Sequence, residues 1–78
     1  MPKVTVVQPN GSRVREIRLG LGLSPAAFAR TLSPQRSGQT IRDIEKGRIW
    51  PSELLMRQIS IAHDVPLDDL IIDGEAAA

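Results

Sequence analysis

Apolar residues recur along this chain at two different periods. From Lys3 to Gln8 the run KVTVVQ is rich in β-branched residues and predicts an extended strand, which Pro9-Asn10-Gly11 breaks. Past that turn the period lengthens. Val14, Ile17, Arg18 and Leu21 fall at i, i+3, i+4 and i+7, the stripe of a helix capped by Asn10 or Ser12. Gly22 is placed to end this helix in a left-handed turn. Gly20, inside its last turn, costs roughly 1 kcal/mol relative to Ala, with no compensating reason visible in the pattern.

The second helix is punctuated more clearly. Ser24 is a good N-cap, Pro25 suits the first helical position, and Leu23 and Phe28 are spaced as a hydrophobic staple. It runs to about Leu32, turning Phe28, Ala29 and Leu32 inward. SPQRS (Ser33 to Ser37) is a turn; Ser37 caps a third helix that Gly47 ends. After the loop Arg48 to Trp50, Ser52 caps a fourth helix with Leu55, Ile59 and Ala62 on its apolar side. Asp64-Val65-Pro66 interrupts, and LDDLII (Leu67 to Ile72) reads as a short fifth helix. The expected organisation is an N-terminal arm or strand (1–9), one all-α domain of five helices (10–72) and a flexible tail (73–78).

Two charges sit on the wrong side of this pattern. Arg18 lies on the apolar stripe of the first helix, and Glu45 shares the inward side of the third with Ile41 and Ile44. A lone buried charge is very costly, whereas a hydrogen-bonded Arg–carboxylate pair is tolerable. The phases therefore predict a partly buried Arg18–Glu45 ion pair joining helix 1 to the end of helix 3. The opposite side of helix 3 presents Gln39, Arg42, Asp43 and Lys46. Those types suit nucleic acid: Gln bonds adenine in bidentate fashion, Arg bonds guanine, and Asp accepts from cytosine.

Composition narrows the chemistry. Hydrophobic residues make up 41%, yet there is one Trp, one Phe and no Tyr, so the core must be aliphatic. The absence of cysteine excludes disulfides, thiolate catalysis and cysteine–zinc sites. No apolar run approaches the roughly 18 residues of a membrane span, and no signal-peptide pattern opens the chain, so a cytoplasmic protein is expected. The net charge of +1 hides an asymmetry. Residues 1–50 carry nine Lys/Arg against three Asp/Glu, whereas residues 51–78 carry one against six. The first part is suited to a polyanion and the last is not.

Other candidates carry less. His63 stands alone near the end of helix 4, as a surface histidine. Trp50 reads as core or inter-helix packing, or else as a contact to DNA or a partner. Arg13 and Arg15 face phosphates or simply solvent. Asp68, Asp69, Asp73 and Glu75 lack calcium-loop spacing, Gly20 to Gly22 is no dinucleotide loop, and Asn10-Gly11-Ser12 reads as a turn. No convergent nucleophile, base or metal set is present, so neither an enzyme nor a cofactor is expected.

The segments SRVREIRLGLGLSPAAFAR, TIRDIEKG and PSELLMRQISIAHDVPLDDLI together resemble the Cro/phage-repressor (XRE-type) helix-turn-helix domain, over roughly residues 11 to 72. The marks are Arg18, Gly22-Leu23-Ser24, Ala29, Ile41, Ile44, Glu45, Gly47 and Pro51-Ser52. The resemblance implies a lambda-repressor-like five-helix fold with helix 3 in the major groove, and an Arg–Glu pair like the one inferred from phase. By position, Gly38, Gln39 and Asp43 match its base-reading sites, and Lys46 and Arg48 its backbone-contacting end. The chain departs from the family pattern in three ways. Pro25 stands where a Gln usually holds a phosphate and braces a reading residue. Gly38 has no side chain to read with. The turn before helix 3 is longer than usual and puts Arg36 where an apolar residue is typical. Base reading is then expected from Gln39, Thr40, Arg42 and Asp43, and phosphate contact from Arg36, Ser37, Lys46 and Arg48.

The function expected is that of a sequence-specific double-stranded DNA-binding transcriptional regulator, a repressor acting as a homodimer. One such domain makes few base contacts, and dimerisation supplies affinity and site length. The acidic C-terminal part (Val65, Leu67, Leu70, Ile71) is the first choice of dimer surface. The arm is the other candidate, pairing with its two-fold mate or packing on its own domain. The alternative function is a protein-binding module, either the antitoxin of a toxin–antitoxin pair or an adaptor.

Overall fold

In the computed structural model, which describes residues 6–76, the chain order is β1 (Val6–Pro9), α1 (Gly11–Gly20), α2 (Pro25–Arg30), α3 (Gly38–Glu45), α4 (Glu53–His63), α5 (Leu67–Leu70) and β2 (Ile71–Ala76). Each longer helix opens on a side chain that accepts one of its free N–H groups. Asn10, not Ser12, accepts from Arg13; Ser24, Ser37 and Ser52 accept from Ala27, Thr40 and Leu55. Gly22 and Gly47, both at φ +72°, end α1 and α3 in the left-handed conformation that glycine adopts without steric cost.

Every helix and β1 contribute to one core. Val7, Val14, Phe28, Ala29, Leu32, Ile41, Ile44, Leu55, Met56, Ile59 and Leu70 are buried together. It is aliphatic around a single Phe, as the composition requires. Two residues of the expected stripes differ. Leu21 is 52% exposed because α1 ends before it, and Ala62 is exposed while Met56 takes the inward place on α4. The second helix stops at Arg30, and Leu32 enters the core from the turn beyond it.

The C-terminal segment differs most from expectation. The fifth helix covers only Leu67–Leu70, and Ile71 is already extended (φ −126°, ψ 144°). From there β2 pairs antiparallel with β1, matching Pro9 with Ile71, Gln8 with Asp73 and Val6 with Ala76. A flexible tail from residue 73 is thus corrected through residue 76; residues 77–78, like Lys3 to Thr5 of the arm, lie outside the described residues. The cause is backbone hydrogen bonding. A lone β1 would leave its N–H and C=O groups unpaired, and β-branched Ile71 and Ile72 favour the extended form that pairs them. The Asn10 N–H donates to the Leu70 carbonyl at 2.8 Å, and the Val7 N–H to the Pro51 carbonyl at 3.0 Å. β1 therefore packs on its own domain.

Leu70 is 0% exposed, which removes it from the proposed dimer surface. Val65, Leu67 and Ile71 are half-buried against the same core, so most of that acidic segment's apolar area already faces inward.

Candidate nucleic-acid interface

Helix α3 is held from both sides. At its C-terminal end Arg18 of α1 reaches Glu45 with a two-bonded fork, Nε to Oε2 at 2.6 Å and Nη2 to Oε1 at 3.0 Å. A third guanidinium bond, Nη1 to the Leu23 carbonyl at 2.9 Å, ties in the entry to α2. Both side chains are nearly enclosed, at 10% and 6% exposure. The hydrogen bond to Glu45 holds Arg18 above its ordinary value, overriding the burial that pushes it down. Gly11 belongs to this junction. A Cβ there would lie 2.7 Å from the Ile44 carbonyl oxygen and closer still to that of Glu45, so α1 can start against α3 only without a side chain.

At its N-terminal end α3 meets α2. A Cβ on Gly38 would lie 3.0 Å from both the Cα and the N of Ala26. The residue that cannot read a base is the one that lets the two helices approach. Ser37 Oγ accepts the Thr40 N–H at 3.1 Å and lies 2.9 Å from Thr40 Oγ1, so both hydroxyls are engaged in the cap.

The outward face carries Gln39, Arg42 and Lys46, all exposed. Asp43 lies among them, half-buried, and its Oδ1 accepts from Gln39 Nε2 at 3.0 Å and from Arg48 Nη1 at 3.5 Å. The Arg48 N–H also donates to the Asp43 carbonyl at 2.9 Å. Arg42 has no ion-pair partner among the described residues. Arg36 is fastened rather than free, because its Nε donates to Gln58 Oε1 at 3.0 Å and its N–H to the Ala29 carbonyl at 3.1 Å. Gln58 Nε2 donates to the Ser33 carbonyl at 3.0 Å, so one α4 side chain anchors both ends of the long turn. Nothing in the helical pattern marked Gln58 for that task. Arg13 is engaged with Glu16 at 3.0 Å and Asp69 at 3.8 Å, while Arg15 is exposed beside Ser12 and Lys46 in a groove between α1 and α3.

His63 and Trp50 exchange the places expected of them. His63 is half-buried and stacks on Phe28, with ring centroids 4.6 Å apart and planes 9° from parallel. Thr31 Oγ1 donates to the Phe28 carbonyl at 2.6 Å, which leaves it to accept from His63 Nε2 at 2.9 Å. Burial lowers the His63 pKa from its ordinary value. Trp50 is 46% exposed and Ile49 36%, so the core explanation of Trp50 is corrected. Pro51 is buried in its stead, where its carbonyl receives Val7.

A helix-turn-helix family model matches residues 14–70, from within α1 to the end of α5. The chain belongs to the Cro/C1-type (XRE-like) helix-turn-helix family. Comparison with curated proteins and with solved structures gives no significant match. The match leaves both strands outside it. Membership makes this a DNA-binding helix-turn-helix protein of a regulatory family. Among the described residues no group of His, Cys, Asp or Glu is arranged to hold a metal, and no helix is long and apolar enough to cross a membrane.

Proposed function

We propose that this protein is a sequence-specific regulator of transcription, a repressor that lays α3 in the major groove of double-stranded DNA as a homodimer. The observation that carries this reading is the outward face of α3. Gln39 and Arg42 stand exposed where base edges would lie, and the one acid among them is already held by Gln39 and Arg48. An unneutralised carboxylate there would repel the phosphates. Lys46 and Arg48 serve the backbone at the C-terminal end of α3. Ser37 and the remaining guanidinium nitrogens of Arg36 serve it at the other end. Thr40 is a secondary reader, its hydroxyl shared with the cap.

For the homodimer we favour the exposed loop beyond α3 over the acidic segment that Leu70 has left. Ile49 and Trp50, exposed by 36% and 46%, continue directly from Arg48, and Leu54, exposed by 63%, follows in the first turn of α4. A protein partner, whether toxin or client, is the second reading. It is favoured by Ile61, 81% exposed at a shallow groove with Thr31, Ser33, Gln58 and Ala62.

Selection from random duplexes by the purified protein tests the main reading, with two spaced half-sites expected. Arg42→Ala should relax one base position, whereas Lys46→Ala should weaken all sequences alike and lower the salt slope by about one phosphate contact. Recovery of no duplex at all would refute DNA reading and leave the protein partner.

A further inference from the structure

The outward face of α3 contains one contact that its reading function does not itself require. Gln39 and Asp43 lie one helical turn apart and are bonded at 3.0 Å, and the same carboxylate oxygen receives Arg48 at 3.5 Å. We infer that Asp43 is a positioning residue: it fixes the Gln39 amide so that Gln39 recognises adenine at one position of the site. The inference rests on the reading that α3 enters the major groove.

The chemistry follows from what each group can donate. A carboxylate only accepts, so the atom of Gln39 that faces Asp43 must be the NH2 group. That settles which way the amide is turned and leaves Oε1 with the second Nε2 hydrogen for a ligand. One acceptor beside one donor matches the N6–H and N7 of adenine on its major-groove edge. A free glutamine side chain loses rotamer freedom when it binds, and one already held loses less. No other bracing is at hand on the neighbouring helix. Pro25 and Ala26, which open α2, carry no polar side-chain atom, and Ala26 is packed against Gly38. Asp43 is itself held, with its side chain only 24% exposed, its oxygen on Arg48 Nη1 and its carbonyl on the Arg48 N–H. The loop that follows α3 is thereby linked to the reading residue four positions before Asp43.

A Gln–Asp bond at this spacing also stabilises helices in general, and an aspartate here can accept directly from cytosine. Base preference separates these roles from positioning. The test uses the full chain and the duplex it selects, with affinity measured for each base at each position. Gln39→Ala should reduce discrimination for adenine at one position by roughly 5- to 150-fold, the range of a bidentate contact. Asp43→Ala should reduce it at that same position and add little in the Gln39→Ala background. Asp43→Asn, whose side-chain oxygen still accepts, should restore most of it. Both Asp43 variants remove a negative charge, so affinity for duplexes that lack that adenine should rise for each, and only the preference should divide them.

The inference is overturned if Asp43→Ala relaxes a different position additively with Gln39→Ala, which would make Asp43 a direct reader. It is also overturned if adenine preference is untouched. Without DNA, the Gln39 side-chain NH2 resonances should move in Asp43→Ala, and unmoved resonances would overturn it too. If the wild-type protein selects no duplex, the DNA reading itself fails, and this inference falls with it.

Discussion

The two ends of α3 are fixed by opposite means. The C-terminal end is held by charge, where a guanidinium and a carboxylate are both withdrawn from water and bonded twice. The N-terminal end is held by the lack of a side chain, with Gly38 letting the backbone of α3 lie against Ala26. The charged end specifies a partner, because only an arginine from the right direction satisfies Glu45. The glycine end specifies a distance, and leaves the exposed turn of α3 clear for Gln39. A helix proposed to read DNA needs both, since its phase must be set at one end and its depth at the other.

Breaking the charged end should have the largest effect. Glu45→Ala strands Arg18 in the interior with only the Leu23 carbonyl for company. Removing one partner of a buried pair costs about 3–5 kcal/mol, against a total stability of about 4–12 kcal/mol for a domain this size. Urea denaturation followed by circular dichroism should show a protein near its folding limit. Replacing both residues with apolar ones of similar volume should recover most of the loss. If Glu45→Ala unfolds at the same urea concentration as wild type, the pair does not organise this end.

Widening the glycine end should cost less and act more locally. Gly38→Ala puts a methyl 3.0 Å from backbone atoms of Ala26, and backbone does not yield as a side-chain tip does. Overpacking of this kind typically costs about 1–3 kcal/mol. The helix preference of Ala over Gly offsets up to about 1 kcal/mol of that. Affinity for the selected duplex should fall more than stability does, because α3 must tilt away from α2. A variant as stable as wild type with unchanged affinity would mean that the close approach is dispensable.

The same contrast explains what could be read in advance. The charged end was legible because helical phase alone placed Arg18 and Glu45 inward, and two stranded charges have few ways to be satisfied. The caps at Ser24, Ser37 and Ser52 were legible for the same local reason. The glycine end was not, because a close approach depends on where another helix lies, and Gly38 shows only as a missing reader. Gln58 was hidden likewise, since its partners Ser33 and Arg36 lie 25 and 22 residues away. The β1–β2 pair failed for a related reason. Beyond Ile71 and Ile72 the segment is acidic and glycine- and alanine-containing, with little strand character of its own, and pairing became visible only once β1 supplied its partner. Of the outward face of α3, the residue types were legible, but the clamp of Asp43 on Gln39 and Arg48 is a matter of geometry.

The smallest expected effect reaches the glycine end indirectly. Ala26 belongs to α2, and α2 is backed by α4 through the stack of His63 on Phe28 and the bond from His63 to Thr31. Burial lowers the His63 pKa, so as pH falls the unfolded chain takes up the proton first. The contribution of the neutral ring is therefore complete above the ordinary histidine value of about 6.5 and declines as pH drops through it. The urea midpoint should be lower at pH 5.5 than at pH 7.5. His63→Gln, which keeps a donor for Thr31 but cannot titrate, should flatten that dependence. Arg18 is held above a value already far from neutrality, so its own titration adds nothing in this window. Equal pH slopes for wild type and His63→Gln would show that the support of α2 by α4 is independent of the histidine's charge.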